Sequence, residues 1–149
     1  MTRIAALLGI LAFVWPVAAA ADGDLASLRI DARRLTVMMQ QTDDNARVLG
    51  IIVPPDDLTE RSGPFDDLSY AVERHNDLLS LVCGSLALGD ALCDDDYTPD
   101  WYLAKRRIED VAKLRAMTDE AAAHLIPFWK AVCDRTPKPV GGFPVCPME

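Results

Sequence analysis

"CGSLALGDALCDDDYTPD" (residues 83–100) starts apolar, ends acidic, and carries two cysteines ten positions apart. Whatever this stretch does, it separates the helical pattern before it from the one after it. Three chemistries compete for it. A redox or haem-attachment site needs C-x-x-C, and a structural zinc site needs closely spaced Cys or His pairs; neither is present. An EF-hand loop would use Asp94, Asp96, Thr98 and Asp100, but Pro99 stands where glycine is required and Lys105 where the bidentate glutamate belongs. The remaining reading is a covalent clip that fastens a helix end to the segment after it.

Before this stretch, Phe65, Leu68, Val72, His75, Leu79, Val82 and Leu86 recur in steps of three and four, the spacing of an apolar helix seam. Pro64 after Ser62 and Gly63 is suited to a first helical turn. Further upstream, Leu25, Leu28, Ala32, Leu35, Met39, Thr42, Ala46 and Leu49 form another seam, with Asp24 as the expected cap and Gly50 as the stop. "IIVPPDDLTERSG" (51–63) between the two is a loop. After the acidic run, Thr98 and Pro99 are expected to open a third helix, with Trp101, Ala104, Ile108 and Val111 on one stripe. The seam continues in register through Arg115, Thr118, Ala122, Leu125, Trp129 and Val132.

These patterns predict an all-α protein, an antiparallel bundle of three long helices with the third kinked near Pro127. The alternative is four helices with a turn at Met117–Thr118, where "MTDE" has the residues of a helix start. No strand pattern or internal repeat is present.

The N-terminus has the composition of a targeting segment. "MTR" is a short positive region, "IAALLGILAFVWPV" (4–17) is apolar, and small residues follow at a cleavage position after Ala20 or Ala21. That apolar run is short for a membrane span. Residues 1–21 are therefore expected to be a secretory signal peptide, 22–134 the helical bundle and 135–149 a Pro/Gly-rich tail tethered by a disulfide. Export places the protein in the periplasm or outside the cell, with no membrane association after cleavage. The formal charge is −8, and −9 once Arg3 is lost. Such a chain lacks the basic face that nucleic acid or anionic lipid requires, and suits a protein partner that is itself basic.

All four cysteines, Cys83, Cys93, Cys133 and Cys146, follow the targeting segment, so two disulfides are expected. In an antiparallel three-helix bundle, Cys83 and Cys133 would lie at opposite ends, which forces the local pairs Cys83–Cys93 and Cys133–Cys146. A turn at Thr118 would leave crossed pairing open.

The chain has two histidines. His75 falls on an apolar seam and is the candidate ligand or buried polar residue; neither Glu73 nor Asp77 shares its helix face. His124 lies off the third seam and is expected at the surface. Met38 and Met39 with His75 could hold a metal or small ligand, although methionine on a seam ordinarily fills a core. Phe128 and Trp129 are core candidates and, if exposed together, the candidate interface. No standard catalytic or nucleotide-binding signature occurs.

The end of the chain, "TDEAAAHLIPFWKAVC" (118–133) with "FPVCP" (143–147) after it, loosely resembles small disulfide-bonded helical immunity proteins of bacterial secretion systems. The cysteine spacing departs from theirs, and no residue role is carried over. Binding is thus expected over catalysis: an inhibitor, immunity-type protein or accessory subunit with no cofactor or metal. The second expectation is a periplasmic metal or small-ligand carrier built on His75 and the nearby methionines.

Overall fold

The computed structural model describes residues 17–56, 60–138 and 146, with side chains from residue 23 onward. Among these the protein is all-helical, with five helices and no strand: α1 Val17–Val48, α2 Pro64–Ser85, α3 Asp90–Cys93, α4 Asp100–Leu103 and α5 Val111–Arg135. The predicted targeting segment falls largely outside the described residues. No helix among them is long and apolar enough to cross a membrane.

The first two seams hold. Leu28, Ala32, Leu35, Met39, Thr42 and Ala46 are buried along α1, as are Leu68, Val72, His75, Leu79 and Val82 along α2. Gly50 ends α1 with a positive φ of 80°, a conformation that glycine adopts without steric cost. Pro64 opens α2 with Gly63 as its cap. Asp24, however, is not a cap: α1 already runs through it from Val17, because the alanines before it are strong helix formers.

The direction of the helices differs from the expectation. Along α1, Thr36 meets Asp67 and Asp43 meets Arg74 of α2. Ser27 meets Arg115, Gln41 meets Trp129 and Asn45 meets Cys133 of α5. Between α2 and α5, His75 packs on Phe128, and Ala87, just beyond α2, meets Arg135. Residue numbers rise together in every pair, so α1, α2 and α5 run parallel. The antiparallel arrangement is corrected.

Parallel neighbours need long return connections. The first, after Gly50, passes back along α2. Ile51 and Val53 are buried at its start. The Pro54 carbonyl then accepts from Arg74, the Asp56 carboxylate from the Tyr70 hydroxyl, and the Asp66 carboxylate from the Ser62 hydroxyl. The Arg61 guanidinium lies 4.1 Å from the Tyr70 ring centre, a cation–π contact.

The second return contains α3 and α4. A helix running unbroken from Pro99 to Arg135 would be ~55 Å long, against ~33 Å for α2, and would overshoot the bundle. The chain instead leaves α4 at Lys105, where φ is 48°. It restarts at Asp110, whose side chain accepts from the Lys113 amide at 2.8 Å and so caps α5. The long third helix from Pro99 is thereby corrected.

So is the turn at Met117–Thr118. Thr118 is buried inside α5, and its hydroxyl donates to the Leu114 carbonyl one turn back. The buried face of α5 is Leu114, Met117, Thr118, Ala121, Leu125, Phe128, Trp129 and Val132. Arg115 and Ala122 lie at its edge, because α5 packs against both other long helices and needs a broader stripe than one seam.

Candidate functional site

Both disulfides form with the expected pairing, Cys83–Cys93 and Cys133–Cys146, but the reason for it is different. In a parallel bundle both pairs sit at the same end, where Arg135 donates to the Ala87 carbonyl. Locality selects the pairs: α3 brings Cys93 back to within 5.9 Å (Cα–Cα) of Cys83, inside the span a disulfide bridges. At the second bridge, buried Asn45 of α1 donates its amide to the Cys146 sulfur at 3.0 Å.

Beside the first disulfide, an open cavity of about 650 Å³ lies between α2, α5 and the acidic run. Its walls include both histidines, the carboxylates Asp94, Asp95 and Asp96, and Pro127. Among the described residues, no lysine or arginine lines it.

The acidic run is held, not loose. Asn76 of α2 donates its amide to the Tyr97 carbonyl at 2.9 Å and accepts from the Tyr97 amide at 3.0 Å. The Tyr97 ring stacks on His124 of α5, centroids 4.2 Å apart at 18°. With the disulfide at Cys93, these contacts anchor the chain on both sides of the three exposed aspartates.

His75 is 4% exposed and packs edge-on to Phe128 at 4.9 Å. Its Nδ1 lies 3.1 Å from the Asn76 side-chain oxygen. That oxygen is assigned by its other bond, since a backbone amide can only donate. Neutral His75 therefore carries its proton on Nδ1, leaving an unprotonated Nε2 that makes no hydrogen bond to a described residue. Burial pushes the imidazole below its ordinary 6.5, reinforced by His124 and opposed by the Asn76 hydrogen bond and Asp96.

His124 is exposed on one side, as its position off the seam predicts. Its stacking on Tyr97, and the clamp formed by Asn76, are invisible to periodicity. The available clue was a carboxamide in mid-helix next to a seam histidine, since asparagine is a poor interior helix residue.

Phe128 is fully buried and Trp129 is 6% exposed, donating its indole N–H to Gln41 at 3.1 Å. They belong to the core, and the pair does not form an exposed patch. Met38 and Met39 lie in the apolar cluster between the long helices, and neither lines the cavity that holds His75. Among the described residues, no three His, Cys, Asp or Glu side chains gather in a metal-holding group.

Compared with known protein families, with characterised proteins and with solved structures, the chain matches none. Its class is set by its own geometry: a small helical protein stapled by two disulfides, with an acidic, acceptor-lined cavity at the stapled end.

Proposed function

We propose that this is an exported protein that acts by binding another protein, as an inhibitor, an immunity-type protein or an accessory subunit. The cavity face is its docking surface and the partner is basic there. The observation that carries this reading is the anchored acidic run: Asp94, Asp95 and Asp96 lie between Cys93, held by a disulfide, and Tyr97, held by Asn76 and stacked on His124, beside a cavity that no described lysine or arginine lines. Backbone anchored in advance at both ends of the run lowers the ordering cost of meeting a cationic partner. The two disulfides suit an oxidising compartment, in keeping with a periplasmic or secreted location.

The test is a pull-down of the mature, oxidised protein from its own periplasmic extract, beside the variant Asp94→Asn/Asp95→Asn/Asp96→Asn. A stoichiometric partner retained by the wild type and lost by the variant is the expected result. A partner held equally by both would remove the cavity face from the interface.

A second reading, a small-ligand carrier, draws support from the open cavity and the unpaired Nε2 of His75. It needs no methionine and no metal. Native mass spectrometry of the purified protein would reveal such a ligand.

A further inference from the structure

We infer that the cavity is a receptor for a guanidinium group, an arginine side chain of the partner being its occupant. This inference rests on the cavity face being the docking surface.

The charged groups lining the cavity are carboxylates, and beside them stand the hydroxyls of Tyr97 and Thr98. Asp94, Asp95 and Asp96 supply carboxylates. His75, nine-tenths buried and fixed through Nδ1 to Asn76, supplies the Nε2 lone pair. Pro127 lies inside α5 and has no N–H, so the Ala123 carbonyl lacks its helical donor, and both residues line the cavity. These acceptors face an open, water-filled cavity, so a donor that enters replaces water at each of them. An anion is unsuited to such a lining, and the described side chains form no metal-holding group.

Shape separates arginine from lysine. His124 and Tyr97, whose rings stack on each other, both line the cavity and border it with planar aromatic side chains. A planar guanidinium stacks on such a surface while its five N–H groups spread in one plane towards separate acceptors. An ammonium is compact, more strongly hydrated and without a plane to stack. The acceptors here come from three elements, α2, α5 and the acidic run, so a forked donor can use more of them at once.

The test is an NMR and calorimetric titration of the full oxidised chain with N-acetyl-arginine methylamide, using the lysine and citrulline analogues as controls. The arginine probe is expected to bind about tenfold more tightly than the lysine probe, and citrulline to show no binding. The His75 Nε2 resonance should move on binding and report a new hydrogen bond. Asp95→Asn/Asp96→Asn should lose the arginine response while keeping the wild-type fold. Because a buried histidine variant could unfold, the Nε2 shift in the wild type serves as the primary readout. Equal binding of arginine and lysine probes, shifts confined to other faces, or no response at ~10 mM probe would overturn the inference. If a protein is captured in an aspartate-dependent way while the arginine probe does not bind, the guanidinium receptor falls and the docking surface stands. If the probe binds but no protein is captured, the docking role falls and the site is that of a carrier for a small guanidinium ligand.

Discussion

Arg74 of α2 donates to the Asp43 carboxylate of α1 at 2.8 Å and, from the same nitrogen, to the Pro54 carbonyl at 2.9 Å. One buried guanidinium thus joins two parallel helices and the first return connection. Arg47 adds weaker contacts to the same two acceptors, at 3.4 Å each. Asp43→Ala would leave Arg74, 4% exposed, with only the more distant and more exposed Asp77 carboxylate at 3.8 Å, and should cost about 2–3 kcal/mol. The double variant Asp43→Ala/Arg74→Leu should lose less, since it buries no uncompensated charge. Urea denaturation of the three proteins gives the comparison; an Asp43→Ala loss below the double variant's would refute the assigned role.

The parallel topology is open to a distance measurement. Ala26 on α1 and Ala112 on α5 are both exposed and flank the Ser27–Arg115 contact. Spin labels at these positions should lie close together by pulsed electron resonance. An antiparallel pair would place them about 30 Å further apart, so a long distance would reject this fold.

The Cys83–Cys93 bridge closes a short loop, for which the chain-entropy model gives about 3 kcal/mol. The variant Cys83→Ala/Cys93→Ala should show that loss in chemical denaturation. Hydrogen exchange should also rise at Tyr97, whose amide is held by Asn76. Unchanged protection there would mean that Asn76 and His124 alone hold the acidic run.

His75 makes stability depend on pH. Its folded-state value lies below the ordinary 6.5, chiefly through burial. The neutral form is therefore favoured by folding, and its contribution is fully present above about pH 6.5 and lost as pH falls towards the depressed value. Asn76 and Phe128 touch the ring, while His124 opposes its charging and Asp96 favours it. The melting temperature should be lower at pH 5 than at pH 7.5, and less so in His75→Gln. An equal drop in both proteins would assign the acid sensitivity to other groups.

Much of the local structure was legible because burial imposes a period on each helix. Leu28, Ala32, Leu35 and Met39 on α1, and Leu68, Val72 and His75 on α2, fall where three-and-four spacing puts them. Gly50 and Pro64 mark a helix end and a helix start through backbone geometry that side-chain context does not alter. The break at Lys105 had no such marker. It follows from the length of the neighbouring helices, a global quantity, and from the Asp110 cap. The cavity was half legible: the acidic run and His75 stood out singly, whereas their meeting depends on Asn76 and His124.

By itself, the sequence determined the helical class, the core faces of α1 and α2, an even count of cysteines that pair locally and a net negative charge. Each follows from composition or from a period of a few residues. Only the tertiary structure decided that the long helices run parallel, that both disulfides share one end, and that the aspartates meet two histidines around a cavity. An apolar seam looks the same whichever way its neighbour points. Helix direction is set instead by the return connections, through long-range contacts such as Arg74–Pro54, Tyr70–Asp56 and Asn76–Tyr97, which leave no period in the chain.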